Sequence, residues 1–105
     1  MTVKNKYAKG TRNEYRSMRW LEEQGYATIR AAGSHGLFDV VGVRQTFVPT
    51  KPHTFPPFLF VQVKTNELPG HDETVALKDF KMPTGGGKHI HVWRDRAKVP
   101  EVHVL

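Results

Sequence analysis

The sequence contains no cysteine, which excludes a disulfide framework and a thiolate zinc site and fits an intracellular chain. No apolar run approaches the roughly 20 residues needed to span a bilayer, and the opening Met-Thr-Val-Lys-Asn-Lys lacks the apolar core of a secretory signal. A cytoplasmic protein with no membrane contact is expected. Acidic residues are scarce as well: 16 Lys and Arg stand against 10 Asp and Glu, a net charge of +6. That balance favours a polyanionic partner, because neutralising nucleic-acid phosphates releases condensed counterions. The cations are not spread evenly, since Lys4, Lys6, Lys9, Arg12, Arg16 and Arg19 crowd into the first fifth of the chain. At 105 residues the chain can bury one core, so a single domain over 1–105 is expected, without repeats or low-complexity segments.

The stretch around which the rest is organised is Phe58-Leu59-Phe60-Val61-Gln62-Val63-Lys64-Thr65, an apolar β-run with two polar residues set into it. Side chains alternate along a strand, so Gln62 and Lys64 point to the same side. A second apolar run, Leu37 to Val43, is interrupted in the same way by Asp39. A carboxylate buried in such a run costs several kcal/mol unless cations or hydrogen bonds compensate it. An acid on one strand, with a Gln and a Lys two apart on a later one, has the shape of a metal-dependent nuclease site.

The remaining elements follow in order. The pattern predicts a first helix from about Thr11 to Gln24, closed by Gly25, with Glu14, Met18 and Leu21 on one stripe and Arg12, Arg16, Arg19 and Glu23 opposite. Glu14 then has two open readings: it faces the packing partner of the helix, or it closes a capping box with Thr11. A strand over Tyr26 to Ala32 places Arg30 before the glycine loop Gly33-Ser34-His35-Gly36, where Arg30, Ser34 and His35 are candidate phosphate contacts. From Gln45 to Pro57 four prolines rule out a central strand and suggest a long hairpin connection, with Phe47, Phe55 and Phe58 apolar enough to cover a dimer surface.

A polar loop after Lys64 leads to a short helix around Glu73 to Lys81. Gly85-Gly86-Gly87-Lys88 lacks the Walker spacing and reads as a flexible turn. Strands over Lys88 to Arg94 and Glu101 to Leu105 close the domain, with His89 and His91 expected on a solvent face instead of on a metal. The element order is αβββαββ.

Lys9-Gly10, Glu14, Gly25-Tyr26, Arg30-Ala31-Ala32-Gly33-Ser34, Phe38-Asp39-Val40-Val41 and Val61-Gln62-Val63-Lys64 together resemble the archaeal-type Holliday-junction resolvases of the PD-(D/E)XK nuclease superfamily. The resemblance implies a restriction-endonuclease-like α/β fold, a mixed central sheet flanked by helices. Position by position, it implies that Glu14 is the first-helix glutamate, Asp39 the metal-binding aspartate and Lys64 the catalytic lysine. Arg30 and Ser34 match the family's Arg-x-x-Gly-Ser loop beside the active site. It further implies a homodimer, Mg²⁺ (or Mn²⁺ in its place) and four-way or branched DNA as substrate.

One departure stands out, for the family's second strand acid is here Gln62. Relatives of the Mrr type of restriction nuclease look similar in carrying Gln-x-Lys. On this reading Asp39, the Gln62 oxygen and the Val63 backbone carbonyl hold the ion, with Glu14 alongside. Lys4, Lys6, Lys9, Arg12 and Arg16 bind the DNA backbone. Glu67 lies too far along to stand in for the missing acid. The alternatives are a restriction- or repair-type endonuclease of the same fold, a DNA-binding module whose centre has lapsed, and an RNA-processing nuclease.

Overall fold

A computed structural model describes residues 3–31, 36–44 and 56–105, and side chains from residue 8 onward. Its elements are α1 (Val3–Glu23), β1 (Tyr26–Arg30), β2 (Val40–Arg44), β3 (Phe58–Thr65), α2 (His71–Asp79), β4 (Gly86–Trp93) and β5 (Glu101–Val104). The expected αβββαββ order is therefore found. The strands form one sheet in the order β1-β2-β3-β4-β5, antiparallel except for the parallel pair β3 and β4. A parallel pair cannot be joined by a hairpin, and α2 is the crossover that joins this one.

Helix α1 begins eight residues before the predicted Thr11. Gly10 lies inside it, where a glycine costs only about 1 kcal/mol relative to alanine, too little to stop a helix that packs along its length. Thr11 is thus mid-helix, and the capping-box reading of Glu14 is corrected. The C-terminal end is as expected: Gly25 takes φ 99° and its N–H donates to the Glu22 carbonyl, which ends the helix in the left-handed turn that glycine adopts without steric cost.

The two sheet faces carry separate apolar clusters. Leu21, Tyr26, Val40, Leu59 and Val61 form one, packed with Met18 and Trp20 of α1. Phe38, Leu77 of α2, Ile90 and Val92 form the other. β4 runs between these layers, which corrects the reading of its histidines as a solvent face. His89 and His91 are 1% and 0% exposed. They point toward α1, where His91 Nδ1 lies 2.9 Å from the Ser17 hydroxyl and Trp93 donates its indole N–H to the same oxygen.

Glycines 85 to 87 are likewise more than a flexible turn. Gly85 turns the chain at φ 93°, and Gly86 and Gly87 already pair with Phe58 and Leu59 as the first residues of β4. At the far end of the crossover Lys88 reaches from β4 to α2, donating to the carbonyls of Leu77, Lys78 and Phe80 at 2.7–2.8 Å. A cation there satisfies carbonyls left open at the helix end and opposes the negative pole of its dipole. Residues 45–55 of the proline-rich segment, with Phe47 and Phe55, lie outside the described residues. The antiparallel pairing of β2 with β3 across it is as expected.

Candidate active site

Asp39 sits one residue before β2, at a bend. Its backbone still joins both neighbouring strands: its N–H donates to Val61 O, and its carbonyl accepts from Ala31 N, each at 2.8 Å. The β2–β3 register pairs Val40 with Val61, so one step further Asp39 stands across from Gln62. The next strand hydrogen bond is then made by a side chain, because Val63 N–H donates to Asp39 Oδ2 at 2.8 Å. The acid is thereby fixed against the strand that carries Gln62 and Lys64.

Burial pushes the Asp39 carboxyl above the usual carboxylate range. The Val63 N–H opposes that rise, Glu14 and Glu73 add to it, and Lys64 opposes it. Acids from both helices therefore act on Asp39, one from α1 and one from α2. Gln62 is 5% exposed, and its Oε1 has no hydrogen-bond partner among the described residues. A buried amide oxygen without a partner among the described residues, beside a buried carboxylate, is a donor set that a divalent cation satisfies. As placed, no three Asp, Glu or His side chains among the described residues stand at direct ligand spacing. The side chains are instead held by one another.

Glu14 Oε1 is 2.8 Å from Arg30 Nε, so of its two open readings the one facing the sheet is correct. Arg30 also donates to the Tyr15 hydroxyl and lies over that ring, which turns it toward α1. Lys64 Nζ is 2.8 Å from Glu73 Oε1. Glu73 is the residue that sequence reasoning missed, because nothing in the local pattern links a first-turn acid of α2 to a lysine at the end of β3. Glu67 is exposed in the turn after β3.

The basic residues divide. Arg12 and Arg19 are exposed on α1, and Lys9 pairs with Asp95. Arg16 is drawn inward, with its guanidinium 4.1 Å over Trp93 and hydrogen bonds to Asn13 and the Ala97 carbonyl. Asn13 in turn donates to Thr65 at 2.8 Å, which ties α1 to the end of β3. The side chains of Lys4 and Lys6, and all of Ser34 and His35, lie outside the described residues. Two shallow clefts of about 160 and 280 Å³ are lined by residues other than Asp39, Gln62, Lys64 and Glu73.

No protein-family model matches the sequence, and no curated protein does. Among solved structures the chain is similar to Hjc from Archaeoglobus fulgidus, a Holliday junction resolvase from an archaeal hyperthermophile, at 27% identity and a TM-score of 0.60. The match covers 92% of this chain and 71% of that one. The fold is that of an archaeal-type Holliday-junction resolvase. The resemblance read from scattered sequence motifs therefore holds for the fold over nearly the whole chain. In this resolvase-like fold no helix among the described residues is long and apolar enough to cross a membrane.

Proposed function

We propose that the chain is a structure-selective DNA endonuclease that resolves four-way junctions by metal-dependent phosphodiester hydrolysis. The observation that supports this most is the register that sets Asp39 across from Gln62, two residues before Lys64, within a resolvase fold. Asp39, the Gln62 oxygen and the Val63 carbonyl would hold Mg²⁺, or Mn²⁺ in its place, with Glu14 beside them. When bound, such an ion polarises the scissile phosphate and lowers the pKa of its water. Lys64 orients the attacking water and offsets charge on the pentacovalent phosphorus. Arg30 holds Glu14, and Ser34 and His35 contact phosphate nearby.

Substrate choice on this reading comes from DNA shape. Two copies of the chain, related by a two-fold axis, place two sites to cut opposite strands. Lys4, Lys6, Lys9 and Arg12 bind the backbone and fix the junction arms, while Arg16, engaged with Trp93, contributes least. The test is a gel comparison of a four-way junction with linear duplex of the same sequence, each with Mg²⁺ and with chelator. Symmetric cutting of the junction alone is expected, and equal cutting of both would remove junction selectivity.

The glutamine makes a further prediction. Glu14, Asp39 and Lys64 sum to −1, where a strand glutamate would give −2. Gln62→Glu is therefore expected to shift the Mg²⁺ dependence of cleavage to lower concentration by about tenfold. A Mg²⁺ titration without that leftward shift would refute the charge argument.

A further inference from the structure

Gln62 leaves β3 one carboxylate short, and the fold brings another to the same place. Glu73 lies in the first turn of α2, the helix that covers the sheet face bearing Ile90 and Val92. Its Oε1 is 2.8 Å from Lys64 Nζ. An acid from α2 thus reaches the lysine that stands two residues along β3 from Gln62, the residue across from Asp39. The buried Gln62 Oε1, without a partner among the described residues, lies on the same face of β3 as Lys64.

A purely structural role explains this poorly. Lys64 and Glu73 are both partly exposed, and such a pair contributes only about 0–1 kcal/mol. Meanwhile the unsatisfied Gln62 oxygen sits on the same strand that presents Lys64 to Glu73, so the pair stands beside a donor that has nothing to bind among the described residues. Including Glu73 also brings the local charge from −1 to −2, the value a strand glutamate would give.

We propose that Glu73 is the missing carboxylate of the site, a ligand of the divalent ion either directly or through water, and that its pair with Lys64 is a resting state. The inference rests on the metal-dependent nuclease reading above. When the ion binds, Glu73 exchanges the Lys64 ammonium for the cation, and Lys64 is released to the water and phosphate. No covalent bond changes in this exchange; one ion pair replaces another.

The test is direct binding of Mn²⁺ by electron paramagnetic resonance without DNA, alongside junction cleavage and thermal melting. Parent, Glu73→Gln, the double variant Glu73→Gln with Gln62→Glu, and Asp39→Asn are compared. Glu73→Gln is expected to weaken Mn²⁺ binding by about tenfold, to raise the Mg²⁺ needed for cleavage in parallel, and to melt within roughly 3 °C of the parent. The double variant is expected to recover Mn²⁺ binding. Parent-like Mn²⁺ affinity in Glu73→Gln, with or without a lower melting temperature, overturns the proposal. A double variant as weak as the single one overturns the equivalence with the strand acid. If Asp39→Asn loses binding and cleavage while Glu73→Gln keeps both, only the role of Glu73 falls; if both keep them, the metal-dependent reading falls too.

Discussion

Asp39→Asn is expected to lower junction cleavage on the order of a thousandfold or more while junction binding and the fold persist. The reason lies in what the side chain does besides carrying charge. Asp39 Oδ2 accepts the Val63 N–H that the strand ladder leaves without a main-chain acceptor. An asparagine oxygen can accept the same bond, so β3 keeps its anchor. Asparagine also removes a charge that burial and two neighbouring acids make costly. Asp39→Ala, by contrast, strands the Val63 N–H and should cost about 1–3 kcal/mol of stability. Turnover assays, gel shifts in chelator and thermal melts on the two variants separate chemistry from folding. Cleavage at the parental rate by Asp39→Asn would take Asp39 out of the mechanism.

The second large effect concerns acid. His89 and His91 are buried on the same face of β4, His91 against α1, and burial lowers their pKa values from 6.5 to about 4 and about 3, with His89 adding to the shift of His91. Both rings are therefore neutral in the native protein at pH 5, whereas in the unfolded chain both are mostly protonated. Because the unfolded state then binds more protons, stability rises with pH across the window from about 3–4 to 6.5, and is lost as pH falls through it. At pH 5 each ring accounts for roughly 2 kcal/mol, so the pair should cost the fold about 4 kcal/mol relative to pH 7.5. That is a large part of the 5–15 kcal/mol typical of a domain. Urea unfolding at the two pH values measures it, and His89→Leu should remove about half of the dependence. Equal stability at both pH values would mean that the rings are not confined as described.

How far the sequence reaches is clearest at β3. Its limits, Phe58 and Thr65, were legible to the residue, because an apolar run with two polar interruptions is a strong period-two signal. Asp39, Gln62 and Lys64 were legible as a group for the same reason: each breaks a pattern that burial otherwise explains. The histidines of β4 were misread because alternation says which residues share a face but not what covers it. Only the position of β4 in the sheet, with α1 on one side and α2 on the other, makes both faces interior. The start of α1 was missed because Gly10 was given more weight than a single glycine carries against tertiary packing. Glu73 could not be found from local pattern at all, since its contact with Lys64 depends on the crossover closing back over the sheet. The register that fixes Asp39 against Gln62 depends on a connection outside the described residues, yet antiparallel pairing was already expected from it.

The three hydrogen bonds from Lys88 fasten one end of α2 to the middle of the sheet, while Glu73 rides near the other end. Leu77 beside those bonds is fully buried, whereas Glu73 at the opposite end is partly exposed and held by a single ion pair to Lys64. The crossover is thus fastened most firmly where it rejoins the sheet and most lightly where it meets the candidate site.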